Sequence, residues 1–125
     1  GQTENSLKTP LGEHEIKTKI GTDVPKYQFF VSREHISQEV DIIEKEIDSP
    51  DDFITTRIMW LAGKNEGFNS GGNVDSFKRF IYIHGTHEEG LIGKKASHGC
   101  IRMLNQDVLE LFRIIPTKTA VNIYL

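Results

Sequence analysis

Residues 79–84, "RFIYIH", are apolar from Phe80 to Ile83 and run straight into residues 82–103, "YIHGTHEEGLIGKKASHGCIRM". A continuous apolar run of this length reads as a strand buried on both faces. The glycines and small polar residues that follow read as loop. The same stretch holds three of the five histidines, His84, His87 and His98, and the only cysteine, Cys100. The expectation is a buried strand that delivers His84, then loop through Cys100 to the next helix.

Outward from this stretch the chain reads as mostly β. "TPLG" at 9–12 is a turn, and "EHEIKTKI" at 13–20 has the partial alternation of an exposed strand. Further strands are expected at "YQFFVS" (27–32), "FITTRIMWLA" (53–62) and "AVNIYL" (120–125). "GKNEGFNSGGNVDS" after the run at 53–62 is a loop, and Met59 and Trp60 read as core or cleft wall. Ile36, Val40, Ile43 and Ile47 fall at helical spacing with acids and Lys45 between them, and Ser49-Pro50 closes the run. That pattern predicts an amphipathic helix with Glu39, Asp41, Glu44 and Glu46 on a solvated face; whether the segment 33–52 also covers the cleft as a lid is not readable from the sequence. Past the cysteine, Asn105 is the expected cap of a second helix, with Val108, Leu111, Phe112 and Ile115 on one face and Pro116 as its stop.

Composition narrows the function. The chain has 125 residues, 37% hydrophobic and 26% charged, which fits a single domain, residues 1–125, with a core that needs no disulfide or metal staple. Its net charge of −3 and scattered Lys and Arg offer no stripe for phosphates, so nucleic acid is not an expected partner. No run is long and apolar enough to span a bilayer. The chain opens without methionine on loop-like sequence, as a piece whose targeting segment lies elsewhere would.

His84 at a strand end can be held rigidly toward a cleft. Cys100 follows His98 and Gly99 and precedes a helix, and a thiol near an imidazole and a helix N-terminus is expected to have a lowered pKa, favouring the thiolate that attacks carbonyl carbon. Gly99 clears space beside the sulfur, and the amides of Gly99 and Cys100 could face an oxyanion. Three other readings compete. A lone cysteine is usually a small buried hydrophobe. His84, His87, His98 and Cys100 also have the ligand types for tetrahedral zinc, but no paired-cysteine knuckle is present, so no metal and no cofactor are expected. Finally, a fold of this kind could bind without catalysing.

"IHGT" followed by "SHGCIRM" resembles the signature of the YkuD-type L,D-transpeptidase catalytic domain, in its bacterial cell-envelope branch. "TPLG", "ITTRIMWL" and "GGNVDSFKRFIYIHG" extend the likeness over most of the chain. Two departures stand out: His14 occupies a position where an aromatic is common, and the family's first strands are not found before Gly1. The resemblance implies a β-sandwich-like catalytic domain acting on peptidoglycan stem peptides in the periplasm or cell envelope. Cysteine attacks the carbonyl of the third stem residue, diaminopimelate, releases the terminal D-alanine, and passes the acyl group to an amine. Carried over, Cys100 is the nucleophile, His84 the general base and the Gly85 carbonyl its orienter. His98 and the amides of Gly99 and Cys100 line the oxyanion site, while Ser97 and Arg102 contact substrate. Arg102 is suited equally to pairing a carboxylate and to bracing the loop. Water in place of the amine would make the enzyme an L,D-carboxypeptidase, and β-lactams of the carbapenem class are implied inhibitors.

Overall fold

A computed structural model describes residues 1–94 and 96–125. The fold is mostly β. Among the described residues there are seven strands: β1 (Gly12–Ile20), β2 (Gln28–Val31), β3 (Glu34–Glu39), β4 (Ile54–Gly63), β5 (Tyr82–Thr86), β6 (Ile101–Met103) and β7 (Ala120–Ile123). One helix, α1 (Asn105–Ile114), and two short 3-10 turns, Gly72–Val74 and Glu89–Leu91, complete the list.

β4 is the trunk of a forked sheet. One edge pairs with β1 along Ile58–Gly63 and with β2 at Ile54 and Thr55, while the other edge carries β5. β7 extends the β1 branch and β3 the β2 branch. All of these pairings are antiparallel; β6 joins the far side of β5 in parallel. The fork falls at a bulge, where Thr56 has φ 70 and the β4–β5 register shifts between Thr55 and Ile58.

The alternation of strand side chains divides the core between the two faces of β4 and β5. On one face Met59, Leu61, Ile81 and Ile83 pack with Ile16 and with Val108 and Phe112 of α1. On the other, Ile58 and Tyr82 pack with Val24 and Phe30, and Trp60 and Cys100 lie against them. Every residue of β5 is buried, as a strand covered on both sides requires.

Three expectations are corrected. The helix expected from Ile36 to Ile47 is absent: Glu34–Glu39 is strand β3, and 40–52 is non-helical. The helical spacing there was coincidental, because β3 pairs with β2 alone and leaves nearly all its residues exposed, so no alternating burial marked it as a strand. The loop expected from His84 to the helix is interrupted by β6, three residues that gain a strand's geometry only by pairing with β5. Asn105 does not cap α1. Leu104 takes the cap position with no side-chain hydrogen bond, and Asn105 turns inward instead. Val108, Leu111 and Phe112 of α1 do face the core, and Ile115, just past the helix end, packs there with them.

Candidate active site

The β5–β6 ladder sets the site. Its parallel register places Ile83 beside Ile101, His84 beside Arg102 and Gly85 beside Met103. Cys100, one residue before β6, therefore falls beside Tyr82, and period-two alternation puts Tyr82, His84, Cys100 and Arg102 on one face. His84 and Cys100 are diagonal neighbours, with Cα atoms roughly 8 Å apart from strand spacing and rise.

The His84 ring is buried, and its Nδ1 lies 2.5 Å from the Gly85 carbonyl oxygen. A carbonyl can only accept, so Nδ1 carries the proton and Nε2 is left with its lone pair. Burial depresses the His84 pKa below its ordinary 6.5, against the Gly85 hydrogen bond and Asp52, which act the other way. At neutral pH the imidazole is thus the free base. Gly85 itself is fixed by packing: a Cβ there would stand 2.6 Å from Asn105 Oδ1 and 2.7 Å from the Thr55 carbonyl oxygen.

Cys100 is half-buried, and backbone groups grip its sulfur. The Tyr82 N–H donates to Sγ at 3.3 Å, and the thiol donates to the Phe80 carbonyl at 3.3 Å. The expected lowering of the thiol pKa is overturned. Burial pushes it up to about 11, Asp52 adds to the rise, and the Tyr82 N–H and Arg79 offset only part of it. α1 begins only at Asn105, so the extended residues of β6 separate Cys100 from the helix's first turn, where the dipole acts. The resting pair is a neutral thiol with a neutral imidazole.

This predicts two pH profiles. Alkylation of Cys100 by iodoacetamide should climb through the alkaline range toward a midpoint near 11, where a preformed thiolate–imidazolium pair would plateau near neutrality. Any reaction that uses His84 as base should keep its rate below pH 6.5, because the depressed pKa delays imidazole protonation. An acid limb above 6.5 would contradict the burial argument.

Gly99 has φ +116, which a side chain rarely adopts, and this turn sets the cysteine just before β6. Among the described residues, neither the Gly99 nor the Cys100 amide donates to a protein acceptor. Ser97, Cys100 and Arg102 line a cavity of about 740 Å³, walled also by Leu7, Leu91 and Tyr124. The His98 side chain is 69% exposed, with Nδ1 3.9 Å from Asp52 Oδ2, so its ring turns toward solvent and Asp52. His87 bonds Ser49 Oγ through Nε2 at 2.9 Å. Among the described residues, no group of three His, Cys, Asp or Glu side chains converges as a metal site.

Arg102 is occupied inside the protein. Its Nη2 contacts Glu88 Oε1 at 2.5 Å and donates to Thr86 Oγ1 at 2.8 Å. Glu88 in turn accepts from the Ser49 N–H at 2.6 Å and from Ser49 Oγ at 2.8 Å. With the Ile43 N–H donating to the His87 carbonyl and the Gly90 N–H to that of Ile43, these bonds strap 43–49 onto the loop after β5.

Sequence reasoning missed two contributors. Asp52, in the segment expected to follow a helix, acts electrostatically on both His84 and Cys100. Asn105, expected as a cap, ties three elements together. Its Oδ1 accepts from the hydroxyls of Thr55 and Thr56 at 2.5 and 2.6 Å, and its Nδ2 donates to the Thr86 carbonyl and Glu89 Oε2 at 2.8 and 2.9 Å. A buried asparagine beside a helix start gives no sign in sequence of facing inward. His14, at the position where an aromatic was common, is buried, with Nε2 2.8 Å from Ser76 Oγ.

A buried free-base imidazole and a thiol on one face, with amides beside the sulfur that no described residue occupies, have the parts of a cysteine–histidine acyl-transfer centre. The chain belongs to the YkuD family, the L,D-transpeptidase catalytic domain, whose family model matches residues 1–123. It is similar to "Putative L,D-transpeptidase YkuD" of Bacillus licheniformis, 47% identical over 60 residues that cover 44% of this chain and 36% of that one. The Bacillus subtilis protein of the same name is 44% identical over 64 residues, 47% of this chain and 39% of its own. "Putative L,D-transpeptidase YqjB" of Bacillus subtilis is 41% identical over 73 residues, 58% of this chain and 36% of its own. The matches thus span little more than a third of each of these relatives. Among the described residues no helix is long and apolar enough to cross a membrane.

Proposed function

We propose that residues 1–125 form one catalytic domain, a peptidoglycan L,D-transpeptidase of the bacterial cell envelope or periplasm. Family membership supports this reading, and one observation carries its chemistry: the β5–β6 register puts Cys100 on the same face as, and diagonal to, an imidazole whose Nδ1 carries the proton and whose Nε2 is left to take one.

In this reading the Cys100 thiol gives its proton to His84 Nε2 as sulfur attacks the carbonyl carbon of the third residue of a stem tetrapeptide. Because the thiol is hard to ionise, proton transfer accompanies attack instead of preceding it. The Gly99 and Cys100 amides receive the oxyanion, with His98 closing the outer side when it turns from Asp52. Collapse breaks the amide bond, and the imidazolium protonates the departing D-alanine nitrogen, leaving a thioester on Cys100. An acceptor amine then attacks the thioester, His84 takes its proton, and the thiol is regenerated. Ser97 contacts the peptide at the cavity wall. Arg102 acts as the loop's brace through Glu88. Carbapenem-class β-lactams acylate the same sulfur by opening a strained carbonyl.

Mass spectrometry of products from a defined tetrapeptide donor, with and without an acceptor peptide, tests the reading. The expected result is loss of D-alanine and a new cross-linked dimer. Loss of D-alanine with no dimer at any acceptor concentration would make the protein a carboxypeptidase. No consumption of donor would leave only a wall-binding module.

A further inference from the structure

We propose that Arg33, at the tip of the β2–β3 hairpin, binds the terminal carboxylate of the peptide donor's departing residue. The donor's identity rests on the transpeptidase reading above; the site itself rests on geometry.

Val31 pairs with Glu34, so Ser32 and Arg33 form a two-residue hairpin loop. Both have left-handed backbones, φ 46 and φ 70, where glycine and asparagine are the usual occupants. An arginine held in this conformation marks a place where the side chain is wanted more than the easy turn. Its guanidinium carbon stands 4.8 Å from the Phe80 ring centroid and 5.3 Å from that of Trp60. Nη1 donates to Tyr82 Oη at 2.9 Å. Trp60 is itself fixed by stacking on Phe77, centroids 4.1 Å apart, and by an edge contact with Tyr82. Phe80 and Tyr82 therefore serve twice. Their backbones grip the Cys100 sulfur, and their side chains hold Arg33 on the same face of the sheet.

The guanidinium has five N–H donors, of which the Tyr82 hydroxyl takes one. Among the described residues no carboxylate lies within ion-pair distance of Arg33. Two other arginines on this side are occupied: Arg102 by Glu88 and Thr86, and Arg79 by the carbonyls of Gly1, Gln2 and Lys8. A planar fork with unused donors matches a carboxylate in bidentate fashion. In the donor, the terminal carboxylate lies three bonds beyond the carbonyl carbon that Cys100 attacks. Tyr82 joins the two groups, its N–H on the Cys100 sulfur and its hydroxyl on Arg33, so a peptide bound across Cys100 would present that carboxylate to the face that carries the guanidinium.

Trp60 is the only tryptophan, so its fluorescence reports on this platform. Binding would be titrated on the Cys100→Ala chain with an L-Ala-γ-D-Glu-diaminopimelate-D-Ala tetrapeptide and with its C-terminal amide. The acid should bind about 10–100-fold more tightly than the amide, the range for hydrogen bonds to a charged group. Adding Arg33→Gln should bring that ratio near one. Arg33→Gly, which suits the left-handed turn and so guards against a folding defect, should do the same. Equal affinity for acid and amide in the Cys100→Ala chain would overturn the proposal, as would a preference that survives both substitutions. Equal loss of affinity for both peptides with the ratio kept would also overturn it, showing that Arg33 only packs the platform. Turnover of the acid donor by the unmodified chain is measured alongside. Turnover without a carboxylate preference removes the Arg33 site alone. A preference lost on Arg33→Gln without turnover keeps the site and removes the transpeptidase reading.

Discussion

Cys100→Ala should leave below about one per cent of the unmodified turnover, because no neighbouring group can form the covalent bond that the sulfur forms. The sulfur is the only one carried by a cysteine, and its two recorded partners, the Tyr82 N–H and the Phe80 carbonyl, are backbone groups that cannot substitute for it. The fold should survive, since Cys100 lies at the margin of its core cluster, and circular dichroism should be unchanged. Intact-mass measurement provides a second readout: the unmodified chain should gain one carbapenem adduct and Cys100→Ala none. Turnover above one per cent in the variant, or an adduct on it, would sink the nucleophile assignment.

Glu88→Ala should destabilise the protein by about 3–5 kcal/mol at neutral pH, the usual cost of removing one partner from a buried ion pair. Glu88 is 2% and Arg102 7% exposed, so the stranded guanidinium would have little access to water and only Thr86 Oγ1 as a recorded partner. The same change frees Ser49 and loosens the strap over the loop after β5. Urea unfolding followed by circular dichroism measures the loss, and a change under about 1 kcal/mol would mean the pair is effectively solvated. The pH dependence has a definite sign. Burial works to raise the Glu88 pKa, but hydrogen bonds from Ser49 and Arg102 outweigh it and hold the carboxyl below its ordinary 4.5. The stabilisation is therefore full above 4.5 and disappears as pH falls through the depressed value, so the gap between the two proteins should narrow in acid.

What could be read from the sequence was whatever burial had imprinted on it. β5 is covered on both faces, and the apolar run expected as a strand at 79–84 marked it, although the strand begins only at Tyr82 and continues past His84 to Thr86; α1 presents one apolar stripe, and its spacing said so. β3 lies at a sheet edge with little to bury, so its residues carried no alternation and an accidental helical spacing prevailed. β6 is only three residues long, and its strand character comes from a neighbour far away in the chain. The site divides in the same way. Residue types with an obvious chemistry, Cys100 and the histidines, stood out together, yet the environment that sets their protonation did not. The raised thiol pKa comes from burial and from Asp52, and both depend on tertiary structure. Arg33 lies in a two-residue turn whose composition gives no hint that its side chain reaches across to Phe80 and Trp60.

β1 pairs with β4 along most of its length and, at its other edge, sets Gly12 against Ile123 of β7. A ladder joining residues so distant in the chain must close large loops before any of its contacts forms, which places folding in the slow, millisecond-to-second regime of non-local β topologies. During synthesis β1 emerges before both of its partners and waits for them, its backbone donors and acceptors open on either side. That interval is when another chain's strand can pair with it, so aggregation during production should depend on residues 12–20 more than on the site.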